Sequence, residues 1–255
     1  MIRRGVIEKF IVRVNPAGFG YKIAQVLIST NIGIIKDEII LRIKQFGDLA
    51  YHVHHMGKTS VAALLINKTL DDKIIQSLND RLKPATVSSI TVSELSVSTH
   101  LSETNLRIIK CLLQSGARTE ISEIAKELDL YEKTITRRLN RMKEDHLLEF
   151  SLQCNPAAMI GYIQFAIPII VLKSHYRSVN ERMFLEYQEN ILYSPSILDS
   201  NNWLIFVLFG ENLFNVDSAL AKVEFFEVVK SVDVYILIKW QYYDDWILRE
   251  IEERL

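Results

Sequence analysis

The sequence predicts an α+β fold: two βαββαβ units of one kind, with an all-helical segment between them. Three observations predict it. A short motif near the start of the chain recurs near its middle, the elements after each occurrence follow one order, and the stretch from Leu101 to His146 carries apolar residues at helical spacing throughout.

The motif consists of Phe10, Asn15-Pro16-Ala17 and Gly20-Tyr21. It returns as Phe150, Asn155-Pro156-Ala157 and Gly161-Tyr162, at one constant offset up to the alanine and one position later at the glycine, so a single insertion separates the copies. In the first copy, residues 21–29 read as a strand and 36–45 as a helix with Ile39, Ile40 and Ile43 at helical spacing. Residues 49–54 and 60–66 read as strands around His55-Met56-Gly57-Lys58, a tight connection. Residues 71–82 are helical, with Ile74, Ile75, Leu78 and Leu82 on one face and Pro84 as the stop, and 87–95 alternate as a closing strand. The second copy repeats the order: strand 162–172, helix 179–191, strands 193–198 and 203–209, helix 211–225, strand 228–238. This is the ferredoxin-like arrangement, two helices over one face of an antiparallel sheet. The competing reading is a single larger α+β domain whose halves agree by accident. The tail, 241–255, places Trp246, Ile247 and Ile251 among charged residues and reads as a short amphipathic helix.

The chain has 255 residues, 49% hydrophobic and 24% charged, enough apolar material for two or three small cores. Its net charge of −1 excludes a general polycation, so any affinity for nucleic acid must come from a local patch. Cys111 and Cys154 lie far apart among apolar residues and read as reduced core thiols. The N-terminus alternates charged and apolar residues, unlike a signal peptide, and the apolar run 163–172 is too short to span a bilayer, so a cytoplasmic protein is expected.

In the middle segment, Ser102 caps a first amphipathic helix carrying Leu106, Ile109, Leu112 and Leu113, which ends at Gly116. Ile121, Ile124, Ala125 and Leu128 mark a second short helix, Asp129-Leu130-Tyr131 a turn, and 132–144 a third helix with Ile135, Leu139 and Met142 inside. A short helix with a small central residue, a tight turn and a longer helix form the helix-turn-helix pattern, in which the last helix enters the major groove of DNA. Between Lys133 and Lys143 stand five positive residues and no negative one. A solvated bundle helix is the bland alternative for such charges. Coupled to the three-helix spacing, they point to double-stranded DNA. Lys133, Thr134, Thr136 and Arg137 are expected near base edges, with Arg118, Arg138 and Arg141 toward phosphates.

Residues 101–150 resemble the winged-helix end of leucine-responsive (Lrp/AsnC-type) transcription regulators. The likeness rests on Arg107-Ile108-Ile109-Lys110, Gly116-Ala117-Arg118, Ile124-Ala125, Thr134-Ile135-Thr136-Arg137-Arg138-Leu139 and a wing ending in Leu147-Leu148-Glu149-Phe150. The two repeats resemble that family's effector-binding and oligomerisation (RAM-like) domain. The resemblance implies three domains: 1–97 RAM-like, 98–150 winged helix-turn-helix, and 151–255 RAM-like with a C-terminal helix. Family members carry one effector domain per chain; here residues 3–10 resemble a wing whose three helices are missing. Tyr131 stands where the family has a serine N-cap, which puts a bulky group at the DNA surface, and Glu144-Asp145-His146 replaces a glycine near the wing.

The resemblance further implies a homodimer or higher oligomer and a small-molecule effector such as an amino acid, held near the loops joining the middle strands. His54, Gly57 and Lys58 in the first copy and Asp199 and Trp203 in the second are the candidate residues. Siroheme decarboxylases, built from similar domains, are the enzymatic alternative, and a non-DNA-binding assembly protein is a third class. His52, His54 and His55 form the one local histidine cluster; no cysteine or acidic residue stands beside them in sequence, so no metal site, cofactor or enzymatic activity is expected.

Overall fold

Asn15 opens a short turn by accepting the N–H of Ala17 on its side-chain oxygen at 3.0 Å, and Asn155 does the same for Ala157 at 3.0 Å. A proline follows each asparagine, where its missing N–H costs nothing. The turns lead to Gly20 and Gly161, both left-handed with φ of 88° and 81°, a conformation that favours glycine. The repeated motif is therefore one structural device used twice. The structure, a computed structural model, describes residues 2–30, 35–67, 72–93, 97, 101–193, 196–198 and 202–255.

The chain begins with β1 (Ile7–Val14). The first unit follows as β2 (Lys22–Ser29), α1 (Lys36–Ile43), β3 (Leu49–His55), β4 (Thr59–Ile66), α2 (Asp72–Leu82) and β5 (Thr86–Ser93). The helical head is α3 (Glu103–Ser115), α4 (Ile121–Leu128) and α5 (Glu132–Glu144), and β6 (Leu148–Cys154) leaves it. The second unit runs β7 (Ile163–Val171), α6 (Tyr176–Tyr187), β8 (Ser196–Leu198), β9 (Trp203–Gly210), α7 (Leu213–Glu224), β10 (Val229–Val232) and β11 (Tyr235–Tyr242), and α8 (Asp245–Arg254) follows. The fold is α+β, with β-rich units flanking the winged head. No helix among the described residues is long and apolar enough to cross a membrane.

The two units share one nine-stranded sheet in the order β5-β2-β4-β3-β11-β7-β9-β8, with β10 beside β7. Each half has the strand order of a ferredoxin-like unit, and β3 pairs with β11 across the seam. At the other ends β5 lies against β8, so the sheet curls toward closure. Each unit has its own core between sheet and helices. Ile39, Ile43, Leu78 and Leu82 seal the first, and Val179, Met183, Val216 and Val223 the second.

The second copy departs from expectation in its last strand, which is two pieces rather than one. Pro168 explains the break. It sits inside β7, has no N–H to offer, and only its carbonyl is used on that side, by the N–H of Asp233 at 3.2 Å. β7 therefore pairs with β10 beyond the proline and with β11 before it. Released from β7, the rest of β11 runs along β3 from Leu237 to Tyr242. Of the strand expected at 193–198, residues 196–198 form β8 and 194–195 lie outside the described residues; before it, Ile191 makes an isolated bridge to Leu208.

A separate two-stranded ladder joins β1 to β6. Below it a third core gathers Val12, Val14, Leu106, Ile109, Ile135 and Met142 with Trp246, Ile247 and Ile251 of α8. The C-terminal helix is thus part of the head's own foundation. Trp246 meets Phe19 and Tyr21 edge to face at 5.6 and 5.9 Å, and Lys110 of α3 faces Glu252 at 3.4 Å.

Candidate nucleic-acid interface and inner cavity

Ser102 caps α3 by accepting the N–H of Asn105, and Glu120 and Glu123 form a reciprocal capping box at the start of α4. Asp129, left-handed at φ 52°, turns the chain into α5. α5 has Tyr131 at its N-cap with no side-chain hydrogen bond, and the ring is 85% exposed. His146 takes a left-handed φ of 55° at the turn into β6, where the resembling family has a glycine nearby. The turn geometry survives without the glycine.

Ile135, Leu139 and Met142 face inward on α5, leaving Lys133, Thr136, Arg137, Asn140, Arg141 and Lys143 exposed. Lys133 and Arg137 form no ion pair among the described residues. Arg141 Nε lies 3.5 Å from Asp145, and Lys143 sits over the Phe150 ring at 5.8 Å. Thr134 is half-buried, and the Thr136 hydroxyl donates back to the Glu132 carbonyl at 2.9 Å. Arg118, in the loop after α3, lies over the Phe10 ring of β1 at 4.8 Å.

Arg138 departs from its expected phosphate-facing position. Its Nη1 donates to Asn105 Oδ1 at 2.9 Å and to Ser102 Oγ at 3.1 Å, and its Nε is buried. It ties α5 to the start of α3. One position along a helix rotates a side chain by about 100°, and that rotation carries Arg138 from the outer face to the flank.

The concave side of the shared sheet encloses a cavity of about 130 Å³. Tyr51, Val53 and His55 of β3 line it from the first unit, and Trp203, Leu237 and Trp240 from the second. His55 stacks on Tyr235 at 4.7 Å, and Tyr193 meets Trp240 edge to face at 4.6 Å. Burial pushes His55 down to about 4, so it is neutral at physiological pH. Arg13 reaches the rim, paired with Glu149 at 3.4 Å.

Of the candidate effector residues, Trp203 lines this cavity. Gly57, with φ 80°, and exposed Lys58 form the β3–β4 turn and are not among the cavity lining. His54 points to the helix side of the sheet, and Asp199 lies outside the described residues. The lining residues Arg13, Tyr51, Tyr193 and Trp240 went unnoticed in sequence, and His55 was noticed there as one of a histidine cluster rather than as part of a cavity wall. The period-2 alternation of β3 carried the signal: residues 51, 53 and 55 must share the face opposite 52 and 54.

On that opposite face, His54 Nε2 lies 2.9 Å from Asp37 Oδ1 and its Nδ1 lies 3.0 Å from Ser60 Oγ. Lys239 of β11 donates to the same Asp37 oxygen at 2.8 Å. His52 Nδ1 lies 2.8 Å from the Tyr243 hydroxyl. Burial pushes His52 down to about 4, while hydrogen bonds from Lys239 and His54 hold Asp37 down at about 2.

Residues 101–149 match the winged helix-turn-helix DNA-binding family. The head has the winged helix-turn-helix fold. No curated protein matches the chain by sequence. Among solved structures, the siroheme decarboxylase NirDL is similar over 99% of this chain and 84% of its own, with a TM-score of 0.53 and 13% identity. NirDL in co-complex with an iron-uroporphyrin III analogue gives a TM-score of 0.51 at 12% identity over 99% and 86%. E. coli AsnC matches 55% of this chain and 94% of its own at 18% identity and a TM-score of 0.35. At these identities the likeness to NirDL is one of fold.

Proposed function

We propose that this protein is a cytoplasmic, sequence-specific, DNA-binding transcription regulator, and not an enzyme, with a small-molecule effector held in the inner cavity. The observation that carries the reading is the winged head at 101–149 with the outward cations of α5, Lys133 and Arg137, unpaired among the described residues. Electrostatic attraction to phosphates needs such free charges, and base reading needs them on the helix that enters the groove. In this reading residues 1–97 and 151–255 are sensing and assembly units and 98–150 the reading unit.

A route from effector to head supports the sensing role. Trp240 lines the cavity on β11, the strand that leads into α8 at Asp245, and α8 packs into the core of the head. A ligand pressing on Trp240 therefore acts on the strand that supports the head. The apolar, aromatic lining suits a small, largely uncharged molecule or the side chain of an amino acid.

The second reading, a siroheme-decarboxylase-like activity, draws on the full-length fold similarity to NirDL. The cavity lining opposes it. A polycarboxylate tetrapyrrole calls for several cations, and among the described lining residues Arg13, already paired with Glu149, is the sole arginine or lysine.

The deciding experiment is a gel shift on random duplex across a salt series, beside an absorbance titration with a tetrapyrrole. Salt-dependent DNA binding without a tetrapyrrole spectrum is expected. Tetrapyrrole binding without DNA binding would replace this reading with the enzymatic one. Thermal-shift screening against amino acids tests the effector, since a ligand at a hundredfold its Kd adds about 2.7 kcal/mol of stability.

A further inference from the structure

We propose that Asp37, His52 and His54 form a binding site for one divalent transition-metal ion of the zinc class, at the seam where β3 meets β11. One ligand atom from each of the three lies within 4.8 Å of the others. His52 and His54 stand two apart on one strand, so their rings share a face, with centroids 4.7 Å apart. Asp37, at the start of α1, closes the third side.

Two further features fit a metal better than a closed hydrogen-bond network. First, each histidine is gripped at Nδ1 by a hydroxyl group, His54 by Ser60 and His52 by Tyr243. Metal-binding histidines are commonly oriented in this way, one ring nitrogen held and the other presented. Lys44 lies over the Tyr243 ring at 3.8 Å and helps fix that hydroxyl. Second, the other ring nitrogen of His52, Nε2, is buried without a hydrogen-bond partner, in a residue 2% exposed. A buried polar atom left unpaired costs free energy, and an ion at this point would satisfy it.

Two imidazoles and one carboxylate suit first-row transition metals rather than Mg²⁺ or Ca²⁺, which prefer oxygen donors. Three protein ligands leave a fourth position open to water or an incoming group. Without an ion, the ammonium group of Lys239 neutralises Asp37. Lys239 and Asp37 are both well exposed, so the lysine can swing into water as the ion enters. His54 then carries its proton on Nδ1 instead of Nε2, the new N–H donating a hydrogen bond to the Ser60 hydroxyl oxygen, with no net proton released. Because Lys239 belongs to β11 and Asp37 to the first unit, metal binding exchanges an ion pair across the seam for a clip within one unit.

The test is titration of the full-length, chelator-treated chain with Co²⁺ alone, then Zn²⁺ alone. One equivalent of Co²⁺ should give the visible absorption of a low-coordinate nitrogen-oxygen site, and Zn²⁺ should displace it. His52→Gln should abolish the band while leaving the far-ultraviolet spectrum intact. Tyr243→Phe should weaken affinity roughly 10–100-fold, the usual effect of losing such a support. Lys239→Met, on the exposed side, should tighten it by removing the competing ammonium. Absence of stoichiometric binding in both the wild type and Lys239→Met would overturn the proposal, as would Co²⁺ binding that His52→Gln leaves unchanged.

Discussion

Ile11 of β1 lies directly opposite Ser151 of β6, and the two occupy equivalent positions of the two copies. On either side the ladder is reciprocal: Phe10 faces Leu152, the equivalent of Val12, while Val12 faces Phe150, the equivalent of Phe10. A ladder in which each position faces its partner's counterpart is the signature of a two-fold axis. The chain pairs with itself as two protomers of a dimer would, yet one of the two halves carries the head.

One consequence concerns assembly. A single head per paired unit cannot read a two-fold operator, so two chains are expected to meet on DNA. Leu185 of α6 and Phe214 of α7 are more than 80% exposed on the second unit's helices and offer an apolar surface. Light scattering at micromolar concentration should give at least a dimer in the presence of DNA. A strict monomer there would refute it.

Arg137 and Arg141 should behave differently from Arg138. Arg137→Ala is expected to cost about 1–3 kcal/mol on the preferred site and to relax its specificity, and Arg141→Ala to weaken all sequences alike, with the salt slope reduced by about one. Arg138→Ala should instead destabilise the head, by about 1–3 kcal/mol, because it strips the charged partner from Asn105 and Ser102. Denaturant melts and salt-dependent gel shifts of the three variants separate these effects.

The C-terminal helix should be indispensable to the head. Trp246 is 2% exposed in the core shared by α8, the head and the Phe19 turn. Trp246→Ala is expected to cost about 3–5 kcal/mol, the usual range for emptying an aromatic site. Trp246→Phe should cost less, since it also removes a buried indole N–H without a partner. Hydrogen exchange should show α3 losing protection together with α8; an unchanged α3 would refute the coupling.

Stability should fall on the alkaline side. Burial pushes Tyr242 up to about 12, and a hydrogen bond to Glu250 with partial burial pushes Tyr21 up to about 12. In the unfolded chain both ionise near 10. The fold holds them neutral, so their contribution is constant below pH 10 and is lost as pH rises from 10 to 12, by up to about 1.4 kcal/mol per pH unit for buried Tyr242 and by less for Tyr21, whose ion-dipole contact is screened by water. Urea midpoints measured across that range should decline, and tyrosinate absorbance should lag that of the unfolded chain. Normal titration of every tyrosine in the folded protein would contradict this.

Periodicity and the Asn-Pro-Ala repeat determined the element order, the head and the outer face of α5 from sequence alone, because those features depend on neighbours within one or two turns. The left-handed Gly20 and Gly161, the Ser102 cap and the apolar seam of Ile135, Leu139 and Met142 belong to that class. The wing turn at His146 formed without its glycine, so a missing residue type did not exclude the conformation.

What the tertiary structure alone decided lies between segments distant in sequence. Pro168 breaks the ladder of β7 and sends β11 across to β3, which joins two units into one sheet and encloses the cavity. The inward turn of Arg138 depends on where Asn105 sits, on a different helix of the head. Asp37 comes to His54 because α1 packs over β3, and Lys239 arrives from the last strand of the chain. Local pattern records which face a side chain takes; only packing fixes what stands opposite it.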